Sequence, residues 1–248
     1  MSAAIEIKDL SVVFRARGGS VEALRKLSLT VSEGTVFGFL GPNGAGKTTA
    51  MHVLLGFVDF VGGSASVFGV DVRESIARRC IGYLPEHPET YPFLTGRELL
   101  VMAGRLFGMA RAPLRARVDV LLREVDLEDA ADRRIGTYSR GMMQRIGLAQ
   151  ALINDPDLVI LDEPTGGLDP LGRMKVREII AKLRQAGKTV FFSSHELSEV
   201  ELVCDHLAIV SRGRVVAEGR AADLVAPGES LEKYFLRVIR EPSEGGRS

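Results

Sequence analysis

The chain has 248 residues, with 32 basic and 32 acidic side chains and a formal net charge of +0. That length holds one large α/β domain or two small ones, and an apolar content of 46% supports a sizeable core. The balanced charge removes any global electrostatic reason to expect a nucleic-acid ligand.

Cys80 and Cys204 both sit beside apolar residues. They fit buried thiols of a reducing cytosol, with a disulfide as the alternative. The first residues, Met1-Ser2-Ala3-Ala4-Ile5-Glu6, lack the basic and apolar regions of a secretion signal. No apolar run approaches the ~18 residues of a membrane span. A soluble chain is expected, and any membrane role requires a partner.

Ile5, Ile7, Leu10, Val12 and Phe14 predict a strand over 4–14, and Leu27, Leu29 and Val31 predict another over 23–31. A turn with Gly18-Gly19 is expected over 15–20, so the start reads as an antiparallel β-layer. Phe14, ending the first strand, is either a core residue or a platform for a planar base, a stacking contact worth roughly 1–3 kcal/mol. Glu33-Gly34 turns the chain into Val36-Phe37-Gly38-Phe39-Leu40, an unbroken apolar run that predicts a buried strand.

Gly41-Pro42-Asn43-Gly44-Ala45-Gly46-Lys47-Thr48-Thr49 follows, reading G-x-x-x-x-G-K-T, and a helix-compatible run occupies 49–55. Strand, glycine loop and helix together are the context of a phosphate-binding P-loop. Its backbone N–H groups must wrap an anion, which calls for glycines that tolerate φ > 0. The loop ends at a helix N-terminus, whose orphan donors favour phosphate. Lys47 can reach the β- and γ-phosphates, and the Thr48 hydroxyl can ligate Mg²⁺.

A turn over 59–63 and strands over 64–68 and 80–84 come next. Pro85-Glu86-His87-Pro88 predicts a rigid, exposed loop. The period then changes. Thr95-Gly96-Arg97-Glu98 is a capping-box pattern opening a helix with Leu99, Leu100, Ala103 and Leu106. Further helices are expected over 114–125 and 139–153. Three helices without a strand among them read as a helical subdomain inserted into an α/β core. Ser139 can cap the third, and Gly141 would let a phosphate approach its first turn.

Leu158-Val159-Ile160-Leu161 is fully apolar and delivers Asp162-Glu163 to its carboxyl end, where ligands sit in doubly wound sheets. Asp162 suits a Mg²⁺ carboxylate, and Glu163 a general base directing water at the γ-phosphate. A helix over 171–185, a strand over 189–192 and a helix over 197–204 follow. A hairpin around Arg212-Gly213-Arg214 and a short amphipathic helix through Leu231, Tyr234, Phe235 and Val238 complete the pattern. The polar stretch 241–248 is expected to fray.

In this order the residues resemble the ATP-binding subunits of ABC transporters along essentially the whole chain. The resemblance implies a P-loop NTPase core with an antiparallel β-layer and an inserted helical subdomain. An ATP-binding domain would span 1–228, with the helical part at about 86–156, and a C-terminal helix and flexible tail 229–248. It assigns Phe14 to adenine stacking and 41–49 to the P-loop. Tyr138-Ser139-Arg140-Gly141-Met142 falls at the family signature, Leu-Ser-Gly-Gly-Gln, and Asp162-Glu163 at the Mg²⁺ acid and catalytic glutamate. Gly167-Leu168-Asp169 falls at the D-loop, and His195 at the histidine that senses the γ-phosphate.

The cofactors implied are ATP and Mg²⁺. The partners implied are a membrane permease and a second ATPase subunit, identical or paralogous, at the cytoplasmic membrane face. Two departures stand out. Glu86 occupies the usual place of a glutamine and could ligate the metal. Tyr138, Arg140 and Met142 replace signature residues, and both departures resemble a subgroup of bacterial subunits that serve two-component exporters. Two other readings compete: a regulator of ribosome or DNA, and a P-loop kinase. The first would call for paired domains or basic arms, and the second leaves His195 and the Ser139 helix unexplained.

Overall fold

A computed structural model describes residues 2–16, 19–225 and 229–240. They divide into two compact units, the described parts of Met1–Arg78 with Phe191–Ser248, and Arg79–Val190.

The first unit opens with β1 (Ala3–Ala16) and β2 (Gly19–Ser32), paired antiparallel. Alternation buries Ile5, Ile7 and Val12 of β1 and Leu27, Leu29 and Val31 of β2. Register shifts lie where Asp9 and Lys26 take positive φ. The amides freed there donate to serine hydroxyls, Asp9 N to Ser28 Oγ at 2.9 Å and Lys26 N to Ser11 Oγ at 3.1 Å. The turn expected over 15–20 is corrected: the ladder continues to Arg15↔Ser20 and Ala16↔Gly19. Gly18 lies outside the described residues.

β3 (Val36–Leu40) is buried at every position and leads into α1 (Lys47–Leu54). β4 (Gly62–Val67) and the two-residue β5 (Val70–Asp71) extend the first sheet in the order β2-β1-β4-β5.

A 3₁₀ turn, Ser75–Cys80, carries the chain from the first unit into the second, where β6 (Ile81–Leu84) begins. Three helices follow, α2 (Gly96–Leu106), α3 (Arg111–Glu124) and α4 (Arg140–Ala151). The capping box is formed: Thr95 Oγ1 accepts from Glu98 N at 3.1 Å, and Glu98 Oε2 from Thr95 N at 2.9 Å. α2 packs against α3 and α4, burying Leu99, Leu100, Leu114, Val118 and Ile146. β7 (Leu158–Leu161) pairs parallel with β6 from Ile81↔Leu158 to Leu84↔Leu161, and α5 (Pro170–Gln185) follows.

The chain re-enters the first unit within β8 (Thr189–Ser194). Phe191 packs on Phe37 and Phe39 of β3, with ring centroids 5.9 and 5.2 Å apart. α6 (Leu197–Val203) leads to β9 (His206–Ser211), parallel to β3, and β10 (Arg214–Gly219), antiparallel to β9. A short α7 (Ala221–Leu224) precedes α8 (Leu231–Arg240), which rests on α6 and β10. The tail expected over 241–248 lies outside the described residues. The structure is therefore mixed α/β, with an antiparallel layer, a parallel core and a helical insertion. Cys80 and Cys204 are thiols rather than a disulfide, and burial pushes both up.

Candidate functional site

The loop between β3 and α1 has the geometry its glycines promise. Gly44 has φ +78° and Gly46 has φ +106°, conformations that side-chain-bearing residues resist. A Cβ on Gly46 would stand 2.8 Å from both Ala23 O and Leu24 Cδ2, so the wall formed by β2 requires glycine there. Pro42, Asn43 and Gly44 are exposed, and open space surrounds the position of a Cβ on Gly44. Ala45 is buried and its N–H donates to Pro42 O at 3.1 Å. Lys47, only 7% exposed, donates from Nζ to Gly41 O at 2.7 Å, which holds its charge inside the loop. Thr48 is exposed at the second position of α1 and Thr49 is half-buried.

Phe14 is 45% exposed on β1, which excludes the core alternative. His195 is exposed directly after β8. These residues belong to the first unit, with the P-loop.

The second unit holds the acids and the capped helix. Asp162 is 2% exposed, and its N–H continues the β6–β7 pairing by donating to Leu84 O at 2.8 Å. Glu163, 8% exposed, has φ +49°. A non-glycine residue held in that region costs roughly 1–3 kcal/mol, a burden typical of functional positions. The turn it begins closes with Gly166 N donating to Glu163 O at 3.0 Å. Glu86 is exposed in the 85–88 loop, its Oε1 3.9 Å from His87 Nε2. Ser139 caps α4, its Oγ accepting from Met142 N at 3.3 Å. At Gly141 the nearest neighbour of a Cβ would be Leu168 Cδ2, at 3.8 Å.

Comparisons with known proteins decide the family. The ABC transporter model matches residues 24–166. An ABC transporter ATP-binding protein of Nostoc sp. strain PCC 7120 is 44% identical over 251 residues, covering 94% of this chain and 75% of that protein. The chain belongs to the ABC transporter ATP-binding family. The Nod factor export ATP-binding protein I of Paraburkholderia xenovorans strain LB400 is 43% identical over 202 residues, 81% of this chain and 66% of that protein. A solved ATP-binding subunit of an ABC transporter superposes with a TM-score of 0.86 at 31% identity, over 96% of this chain and 100% of that one.

As an ABC ATP-binding subunit the chain binds ATP and is an ATPase. The P-loop fits that ligand: an enclosed ammonium, open space over Gly44, and a glycine at the helix start that offers no capping oxygen to the first-turn N–H groups. Among the described residues no group of three His, Cys, Asp or Glu side chains forms a cation site, so a metal would depend on nucleotide oxygens and water as well.

Two features of this ABC subunit escaped the sequence. Gly213, in the β9–β10 turn, donates its N–H to Ala45 O at 2.9 Å and accepts from Arg25 N at 2.9 Å. The hairpin turn thus buttresses the P-loop. Arg212-Gly213 signalled only a tight turn; its target lies about 170 positions away in sequence, beyond any local pattern. The second feature is the contact of Arg140 with Gly167.

Proposed function

We propose that this ATPase works as one of a pair of subunits, identical or paralogous, that drive export through a separate membrane permease. Each ATP would be held by the P-loop of one subunit and the Ser139–Gly141 helix start of the other. The observation that carries this reading is Gly141. Its φ is not positive, and a Cβ would meet Leu168 Cδ2 at 3.8 Å, an ordinary contact, so nothing among the described residues requires glycine. A group arriving from outside does, and a capped helix start beside it suits a phosphate. The similarity to an export ATP-binding protein supports the direction of transport. No described helix is long and apolar enough to cross a membrane, which fits a peripheral role at the cytoplasmic face through the permease.

In this reading Phe14 stacks on adenine. The groups of 41–49 bind the phosphates, with Lys47 countering the β/γ charge. Thr48 and Asp162 would offer oxygens to Mg²⁺, and exposed Glu86 would add an anionic one. The metal would neutralise developing phosphate charge. Glu163 takes the proton of the attacking water, and His195 hydrogen-bonds the γ-phosphate.

Glu163→Gln removes the base and should slow hydrolysis roughly 10²–10⁴-fold. Because opening follows hydrolysis, the variant should accumulate as an ATP-bound dimer by size-exclusion with light scattering in ATP–Mg²⁺. A nucleotide-loaded monomer at high concentration would exclude the homodimer and leave a paralogous partner.

A further inference from the structure

Arg140 is the first residue of α4, directly after the capping Ser139. A Cβ placed on Gly167 would lie 2.7 Å from Arg140 Nη1 and 2.8 Å from its Nε, with Cζ nearer still. Near-equal approach to the two nitrogens, with the central carbon closest, puts the face of the guanidinium over Gly167. Gly167 itself has φ +68°. The turn it belongs to is tied at its far end by Asp169, whose Oδ1 accepts from Gly172 N at 2.7 Å and caps α5.

Ser139, Arg140, Gly141, Gly167, Leu168 and Asp169 line one cleft of about 500 Å³. The cleft's other cations are occupied. Arg145 donates to Val125 O at 2.8 Å and Asp126 O at 2.9 Å, and Lys175 pairs with Asp126 at 2.8 Å. Arg140 is an exposed residue, yet its guanidinium lies against Gly167. A guanidinium suits that contact: it is planar, weakly hydrated and stacks on flat groups, whereas a lysine ammonium does not.

We propose that Arg140 is a positioning residue for ATP hydrolysis. Its guanidinium face clamps the 166–169 turn to the first turn of α4, so the phosphate-capturing groups and the turn move as one body. The proposal rests on the reading of Ser139 and Gly141 given above. It explains why an arginine can replace the usual signature glycine: the plane lies on a residue that has no side chain.

The test compares the parent with Arg140→Lys, Arg140→Gly and, as a control for the capture site, Gly141→Asp. Amide hydrogen exchange over 167–172 is measured without nucleotide, and kcat and KM for ATP are measured with Mg²⁺. Both Arg140 variants should exchange faster over 167–172. Both should lose kcat roughly 10–100-fold, the scale on which a ~1 Å misplacement acts. KM should stay within about twofold, since each P-loop is untouched.

Unchanged exchange in both variants overturns the clamp, whatever happens to kcat; so does faster exchange with the parent's kcat. Restoration of kcat by lysine overturns it too, because charge and not the plane would then matter. If Gly141→Asp is inactive while both Arg140 variants match the parent, only the clamp fails. If Gly141→Asp hydrolyses at the parent rate, the capture reading fails and takes the clamp with it.

Discussion

The ammonium of Lys47 is enclosed by the loop it serves, bonded to Gly41 O at 2.7 Å. In the proposed reading the same ammonium counters the β/γ-phosphate charge. Lys47→Ala should abolish ATP hydrolysis while costing stability on the order of 1.5–3 kcal/mol, the scale of a hydrogen bond made by a charged group. Nucleotide turnover and urea unfolding on the same sample check both halves. Tyr83 offers a second test at this scale. Burial, and then the carboxylate of Asp162, push its phenol up from 10 to about 12. The folded state therefore holds the phenol proton more tightly than the unfolded chain does. That contribution is complete below pH 10 and is lost as the pH rises toward 12. Tyr83→Phe should flatten the alkaline fall in stability over that window, measured by denaturation at stepped pH. At this scale the sequence announces the residue types and hides their surroundings. The run Gly41 to Thr48 is legible because its chemistry is local. That Phe14 is exposed and Glu163 sits at positive φ depends on packing and a turn that no spacing encodes.

Among the elements, α2 shows how directly sequence can fix a boundary. Thr95 and Glu98 satisfy each other's backbone amides, and the helix starts between them. Thr95→Ala removes the acceptor for Glu98 N and should destabilise the protein by about 1 kcal/mol, while Thr95→Ser should be close to neutral. Denaturant midpoints at constant m check this. The apolar strands β3 and β7 were equally legible, since burial on both faces leaves only apolar residues. The first hairpin was legible as a pair of antiparallel strands, but not how far the pairing runs. Gly19 and Ser20 look like turn residues, yet their backbones complete the ladder opposite Ala16 and Arg15. Turn propensity there yields to pairing already established by the strands. The brief β5 was missed for a related reason: two residues, Val70 and Asp71, carry no period. The contact of the β9–β10 turn with Ala45 joins elements remote in sequence, and only the fold brings them together.

For the whole molecule, the claim is that a complete catalytic site needs two subunits. Each chain carries a P-loop and a capped helix start at Ser139, and in the proposed pair the two sites are completed crosswise. A substitution in the P-loop and one in the capture helix should therefore complement each other. Lys47→Ala disables the phosphate cradle, and Gly141→Asp puts a charge that repels phosphate at the helix start, where a Cβ meets only Leu168 Cδ2 at 3.8 Å. Each variant alone should be inactive at both sites of its homodimer. A mixed dimer carries both defects at one site and neither at the other. The most direct measurement is ATP hydrolysis by the two purified variants, separately and mixed in equal amounts. The account predicts turnover in the mixture well above the sum of the separate rates, rising with protein concentration as mixed dimers form. Turnover in the mixture equal to that sum at every concentration would contradict it.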